Sequence, residues 1–368
     1  MAELLCKVTG LDRVNFVNTG SEAVSAAVRA ARTITGRDRI AVFAGDYHGI
    51  SDEMLVQGVS IGGQQRSLPV APGVPDFLVE NVLVLDYEDP GMLEKIRQHA
   101  DELAGIVVEP CPANRPGFSL HEALRALRHV CDERDIALIY DELITAFRVN
   151  QRGAQGYYGV DADLVSYGKV LSGGLPLAAV GGKAKFMDAF DGGMWQFGDE
   201  SFPEGAVTFF GGTFVRHPVS LSASLATLQQ IEKCGPQLQE DLNGRADQFV
   251  RRMNNVIQQH GGPLSIENAG SVMLLKVTDD NPLSRLIFFH MREKGVHMTE
   301  RVAFISTEHS DAELDFIVDA FTNSICVMQD GECFPRKGQG SAVAVAAPST
   351  AIQYRGGPGP RPDVDGIP

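Results

Sequence analysis

The chain has 368 residues, of which 44% are hydrophobic and 21% charged, a balance typical of a globular protein large enough for two packed regions. Its formal net charge of −15 argues against a general nucleic-acid-binding protein, which would normally carry a basic face. No apolar run approaches the ~20 residues needed to span a bilayer, and the N-terminus lacks the layout of a signal peptide, so we expect a cytoplasmic protein without a membrane partner.

Short apolar runs alternate with helical patterns through the first two-thirds of the chain. The clearest helix covers residues 120–134, where Leu120, Leu124, Leu127 and Cys131 share one face. Because strand and helix alternate, the sequence predicts an α/β fold with a mostly parallel central sheet and helices on both of its faces. The predicted strands are residues 40–44, 82–86, 105–109, 136–140, 164–167 and 177–181.

The pattern changes after about residue 220, where the remaining elements predict a smaller α+β domain. Ser310 and Glu313 have capping-box spacing and mark the start of a final helix. From about Pro335 the chain is rich in Pro, Gly, Ala and Ser, which indicates a flexible linker or tail. The predicted elements before that helix are helices at 220–234, 238–260 and around 283–294, and strands at 272–277 and 303–306. The predicted domains are therefore a large domain (1–222), a small C-terminal domain (223–334) and a tail (335–368).

Reactive side chains follow the predicted strands. In chain order these are Tyr47, Glu109, Asp141 and Lys169. In open α/β sheets, ligands bind beyond the carboxyl ends of the strands. We therefore expect an aromatic ring, two acids and a lysine to gather at one edge of the sheet.

A helix with small residues starts at Gly20 and Ser21. Free backbone N–H groups, a hydroxyl and the positive end of the helix dipole could together hold a phosphate there. Thr19 and Glu22 also fit a plain capping box, so an ordinary helix start remains an alternative.

Several other chemistries lack their motifs. A P-loop needs a glycine where Asp163 stands and a Ser or Thr where Val170 follows Lys169. The sequence contains no H-E-x-x-H. Its six cysteines lie far apart without a C-x-x-C pair, so neither a disulfide scaffold nor a metal site is expected.

A phosphate-binding helix start, an aromatic ring, a buried acid and a strand-end lysine match the needs of pyridoxal phosphate. A lysine bonds to the aldehyde of this cofactor, and an acid keeps its pyridine nitrogen protonated so that the ring can accept electrons. An aromatic side chain stacks on the ring. The sequence therefore predicts a pyridoxal-phosphate enzyme.

The chain also resembles the class III pyridoxal-phosphate-dependent aminotransferases over about residues 1–334. Within that family it is most similar to glutamate semialdehyde aminomutase and to the aminotransferase domains of polyketide and nonribosomal peptide synthases. The resemblance implies the type I fold of these enzymes and a homodimer. The motifs that carry it are, in order, "NTGSEA", "DYHG", "VVEPCPAN", "YDELITAFR", "SYGKVLSGGLPLAAVGG" and "GGTFVRHP".

The resemblance implies two catalytic residues. Lys169 would bond to the cofactor and carry the proton during transfer, and Asp141 would pair with the pyridine nitrogen. A solvated loop lysine and an Asx turn are the respective structural alternatives. Tyr47 would stack on one face of the ring and Leu143 would pack near the other, although core packing could explain either residue.

The other implied contacts surround the cofactor. Gly20 and Ser21 would bind its phosphate, and Glu109 would steady the site. Asn114 would reach the ring hydroxyl, unless it only makes a turn. Thr213 would cross the dimer interface to the partner's phosphate. His48 is interpreted as structural.

Two departures from the family pattern matter. The family carries a long segment before the "TGSEA" motif, which begins here at Thr19, so we expect the chain to lack that segment or to be part of a larger protein. Residues 299–310 lack the Phe-Glu-Ala pattern of the aminomutase.

These features predict an aminotransferase that moves an amino group from an amino acid donor to a keto acceptor. A β-keto acyl thioester on an acyl carrier domain is the expected acceptor. The alternatives are an intramolecular aminomutase and an incomplete docking domain without catalysis. Arg115, Arg216 and Arg301 are candidate contacts for a carboxylate or for phosphopantetheine, and surface salt bridges are the alternative for each.

Overall fold

A computed structural model describes residues 1–61, 64–193, 195, 198–300 and 302–336. Its strands are β1 (Arg13–Val17), β2 (Arg39–Phe43), β3 (Val56–Ile61), β4 (Gln64–Pro69), β5 (Val82–Leu85), β6 (Leu103–Val108), β7 (Ala137–Asp141), β8 (Leu164–Tyr167), β9 (Ala178–Gly182), β10 (Leu264–Ala269), β11 (Val272–Val277) and β12 (Val302–Phe304). Its α-helices are α1 (Ala2–Thr9), α2 (Gly20–Thr35), α3 (Asp76–Val79), α4 (Met92–Gln98), α5 (His121–Arg134), α6 (Gly153–Tyr158), α7 (Ala184–Met187), α8 (Pro218–Cys234), α9 (Gln237–His260), α10 (Ile287–Glu293) and α11 (Asp311–Asp330).

A seven-stranded sheet forms the centre of the fold, in the order β1-β9-β8-β7-β6-β2-β5. The strands from β8 to β5 are parallel, and β9 runs antiparallel to both of its neighbours. β6 and β7 are buried along their whole length, as continuous apolar runs in a covered parallel sheet should be. The prediction of a mostly parallel sheet is confirmed. The six strands that were predicted from the sequence correspond to β2, β5, β6, β7, β8 and β9, and each lies within two residues of its predicted bounds.

Helices cover both faces of this sheet. One face packs against α1, α4, α5 and α8, which contribute side chains such as Leu5, Ile96, Leu124 and Leu228 to one apolar core. The other face packs against α2 and α7. The many alanines of α2 keep that helix close to the strands beneath it.

A second apolar core surrounds the antiparallel sheet β10-β11-β12, packed against α9, α10 and α11. Helix α8 includes residue 222, and its Leu228 and Ile231 belong to the core of the large sheet. The division of the chain at residue 222 stays a prediction. Most of the predicted tail, residues 337–368, lies outside the described residues.

Two helix starts have the expected capping boxes. Thr19 with Glu22 caps α2, and Ser310 with Glu313 caps α11. All six cysteines are free thiols. No helix within the described ranges is long and apolar enough to cross a membrane.

Candidate active site

Four parallel strands end at the same edge of the sheet, and each is followed by a candidate side chain. Tyr47 lies in the loop after β2, Glu109 directly follows β6, Asp141 is the last residue of β7, and Lys169 comes two residues after β8. The parallel pairing of these strands brings the four positions together.

The start of α2 joins this edge through Gly20. A Cβ atom at residue 20 would lie only 1.8 Å from Leu143 Cδ1, so a residue larger than glycine would force this leucine to move. Leu143 Cδ1 also lies 3.5 Å from the position of a Cβ on Gly168, the residue before Lys169. Ser21 Oγ accepts a hydrogen bond of 3.1 Å from the Ile50 N–H. The capping box at Thr19 therefore coexists with a glycine and a hydroxyl that face the site.

Asp141 is buried and its carboxylate is held by three groups. His48 Nδ1 lies 3.0 Å from Asp141 Oδ2, and because an ionised carboxylate only accepts, the ring nitrogen donates. The Leu143 N–H and the Ser166 hydroxyl donate to Oδ1 at 3.2 and 3.4 Å. His48 is itself buried, and its interpretation as a structural residue stays a prediction, to which the structure adds this contact with the predicted catalytic acid.

Glu109 is buried and accepts hydrogen bonds from the N–H groups of Tyr47, at 3.2 Å, and Ala113, at 2.8 Å. Burial raises the pKa of Glu109 to about 8. Asp46 Oδ2 accepts from the Tyr87 hydroxyl at 2.8 Å and from the Glu109 N–H at 3.0 Å. Burial raises the pKa of Asp46 to about 7. These contacts fix the loop that carries Tyr47 and His48, a role for Asp46 that the sequence analysis missed.

Tyr47 and Asn114 differ in their exposure and in their hydrogen bonds. The Tyr47 side chain is 61% exposed, although its backbone is fixed by Glu109. Asn114 Nδ2 donates to the Gly45 carbonyl at 3.2 Å, while its Oδ1 is buried without a partner in the described part of the chain. An unpaired buried acceptor of this kind is costly unless a ligand supplies a donor.

Lys169 has a left-handed backbone, with φ of 50°, which residues other than glycine rarely adopt. Ser172 Oγ stabilises this turn by donating to the Lys169 carbonyl at 2.7 Å. Burial lowers the pKa of Lys169, with a smaller effect in the same direction from the charge of Arg148; Asp141 and Glu109 oppose the shift. A lowered pKa increases the fraction of free amine, which is the form that acts as a nucleophile.

The structure does not bring every candidate to this edge. Thr213 is exposed on the turn before α8 and has no hydrogen bond to the other candidates in the described ranges. Arg115 forms an ion pair with Glu88 at 2.6 Å, and Arg216 donates to Asn15 Oδ1 at 2.9 Å. Arg301 lies outside the described residues.

A family model described as "Aminotransferase class-III" matches residues 1–319. The chain belongs to the class III aminotransferases. It is 31% identical to an omega-transaminase from Sphaerobacter thermophilus, with a TM-score of 0.78 over 88% of this chain and 76% of that one. A beta-phenylalanine aminotransferase from Variovorax paradoxus is 26% identical, with a TM-score of 0.74 over 91% and 74%. A glutamate-1-semialdehyde aminomutase from Pseudomonas aeruginosa PAO1, 20% identical over 88% and 74% with a TM-score of 0.73, shares the fold.

Class III aminotransferases depend on pyridoxal 5′-phosphate, which is therefore the cofactor of this aminotransferase. The residues at the sheet edge fit this group. They supply a lysine with a lowered pKa, a buried carboxylate and an unpaired Asn114 oxygen. Gly20 and Ser21 open the helix start that would take the phosphate.

The cofactor supplies a ring that can accept the electrons of a substrate carbanion. Within this aminotransferase, Asp141 would hold the ring nitrogen in its protonated form, and His48 donates to the Asp141 carboxylate and so orients it. The Lys169 amine, once free, can take a proton from the donor carbon and deliver it again. If Leu143 and Tyr47 flank the ring, as the family resemblance implies, they would limit the water around that transfer.

His48→Leu should weaken cofactor binding at least about tenfold, since a hydrogen bond to a buried charge contributes ~1.5–3 kcal/mol. The leucine leaves Asp141 Oδ2 without its donor. His48→Asn is the matched control, because its amide nitrogen can replace Nδ1. Equilibrium titration of the cofactor-free protein measures the affinity, and equal affinity of the leucine variant and the parent contradicts this role.

Proposed function

We propose that this aminotransferase converts a β-keto acyl thioester, carried by an acyl carrier domain, into the β-amino acyl product, with an amino acid as donor. Amino transfer at the β carbon of the acceptor is supported by the 26% identity to a β-phenylalanine aminotransferase over 91% of the chain. The likeness of "TFFGGTFVRHP" to synthase domains favours a carrier-bound acceptor over a free acid.

The partners of two arginines support a tethered acceptor. Arg115 pairs with Glu88 and Arg216 donates to Asn15 Oδ1, so each would have to give up a contact to bind an acceptor carboxylate. A carrier delivers its acyl chain at high effective concentration, and a site served in this way does not need tight recognition of a free acid.

We further propose that the enzyme is a homodimer. The segment before and at the start of α8 exposes Phe202, Phe209, Phe214 and Val219, each at least 60% accessible to solvent. Exposed apolar side chains in such number mark an interaction surface. A second copy of the chain is the proposed occupant, with Thr213 on the same segment reaching the phosphate of the partner.

The function is tested by offering carrier-bound β-keto acyl chains and free glutamate semialdehyde to the enzyme side by side. Mass spectrometry of the carrier should show the β-amino acyl product, formed only when an amino acid donor is present. Isomerisation of the semialdehyde without an external donor, and no product on the carrier, would assign the enzyme to the aminomutases instead. A protein that retains no cofactor would be the non-catalytic docking domain.

Thr213→Ala should weaken cofactor retention at the site of the partner chain. The test is a mixed dimer with Lys169→Ala on one chain and Thr213→Ala on the other. If the site is shared, the chain with intact Lys169 receives an intact Thr213 from its partner and retains the cofactor normally. Loss of cofactor from that chain would place the action of Thr213 within its own chain.

A further inference from the structure

Arg148, in the connection after β7, has no ion pair with an acid among the described residues, whereas a half-buried guanidinium normally has one. Its Cζ lies 3.9 Å from the centroid of the Phe304 ring in β12. Its Nε is buried and has no hydrogen-bond partner in the described ranges. Burial lowers the pKa of Arg148 to about 10, and no carboxylate of the described residues opposes this effect. The charge is therefore held against an aromatic ring rather than against an acid.

The backbone on both sides of Arg148 is fixed by α9. Gln239 Nε2 donates to the Phe147 carbonyl at 3.1 Å, and Asn243 Nδ2 donates to the Val149 carbonyl at 2.9 Å. Phe147 is left-handed, with φ of 62°, a conformation that is strained for a bulky residue. A strained turn that is held from both sides gives the arginine between them a defined position.

This turn lies beside the predicted catalytic lysine. The ring centroids of Phe147 and Tyr167 are 5.9 Å apart, and Tyr167 precedes Lys169 by two residues. The positive charge of Arg148 also contributes to the lowered pKa of Lys169, after the larger effect of burial. A small molecule that reacts at Lys169 therefore lies within the field of Arg148.

We propose that Arg148 binds the carboxylate of the amino donor and so selects amino acids over simple amines. This inference rests on the proposed use of an amino acid as donor. A planar guanidinium can offer two parallel N–H groups to a carboxylate, and stacking on Phe304 holds that plane. In the thioester acceptor, the carboxylate of a free acid is replaced by the thioester. Only the donor half of the reaction therefore needs an arginine that binds a carboxylate.

The test measures binding without turnover. Calorimetry compares 3-phenylpropionate with its neutral amide as ligands of the cofactor-loaded parent, Arg148→Met and Arg148→Lys. We expect the parent to prefer the carboxylate by about tenfold or more and Arg148→Met to bind both ligands equally. Methionine keeps an apolar side chain against Phe304. Lysine keeps the positive charge but lacks the two parallel N–H groups of the guanidinium. Arg148→Lys should retain part of the preference, and it decides the question if the methionine variant does not fold.

A matched control removes an arginine that lies over a phenylalanine elsewhere on the surface. Arg292, 5.6 Å from the centroid of the Phe289 ring, is exposed on α10, and Arg292→Met should keep the carboxylate preference of the parent. An unchanged preference in both Arg148 variants, no preference in the parent, or an equal loss in Arg292→Met overturns the proposal. None of these results depends on the identity of the acceptor, so the proposed function is tested separately.

Discussion

Lys169→Ala should reduce turnover by roughly 10⁴-fold, because it removes both a nucleophile and a proton carrier. The variant should still bind the cofactor without a covalent bond. The groups proposed for its phosphate and ring, Ser21 and Asp141, are held by contacts that do not involve the lysine side chain. We therefore expect a variant that retains its fold and loses its chemistry.

Borohydride reduction followed by peptide mass spectrometry tests the assignment of Lys169. In the parent protein, the cofactor should become fixed to the peptide that contains Lys169, and in Lys169→Ala no peptide should be labelled. Lys185→Ala is the control, because Lys185 is exposed and pairs with Asp135 away from the sheet edge. A label on any other lysine of the parent would falsify the assignment.

Asp141→Asn should slow proton transfer by at least about 100-fold, equivalent to ~2.7 kcal/mol in the barrier. A neutral amide cannot hold the ring nitrogen protonated, so the ring accepts electrons less readily. The amide oxygen can still accept from the Leu143 N–H, but its NH₂ group would face the His48 Nδ1–H. That conflict can be relieved by a change of tautomer, and we expect the fold to persist.

Single-turnover measurements with an amino acid donor follow this step directly. A cofactor analogue methylated on its ring nitrogen carries a fixed positive charge, and it should restore part of the rate in Asp141→Asn. The same analogue should give no gain in Lys169→Ala, which lacks the proton carrier. Near-normal rates of Asp141→Asn with the ordinary cofactor would exclude the proposed role of the carboxylate.

The central sheet and its active edge could be predicted because the strands are continuous apolar runs that end in polar residues. Such runs identify buried parallel strands, and the topology then places Glu109, Asp141 and Lys169 together. The edge strand β1 and the separate hairpin of β3 and β4 were not predicted. The hairpin of β3 and β4 is rich in Gln, Ser and Gly, and β1 is a five-residue edge strand with polar residues, so neither gives a strong pattern.

The contacts between side chains were harder to predict than the positions of the strands. His48 and Asp141 are 93 residues apart, and nothing in the sequence shows that their side chains meet. The role of Asp46 depends on Tyr87, and that of Arg148 on Phe304, in another part of the chain. The left-handed backbones of Phe147 and Lys169 were not predicted either, because neither residue type favours that conformation; the Phe147 carbonyl is held by the distant Gln239.

The position of β1 at the edge of the large sheet has a consequence for how the protein is made. β1 leads directly into Gly20 and Ser21, and it pairs with β9, whose last residue, Gly182, comes 165 residues after the end of β1 at Val17. During synthesis the chain must therefore grow past Gly182 before β1, which leads into the helix start at Gly20, can pair fully with β9. Pairing over so long a separation is slow because the loop must close first. We expect the capacity to bind phosphate to arise late in folding, so that the cofactor selects chains in which the sheet is already complete.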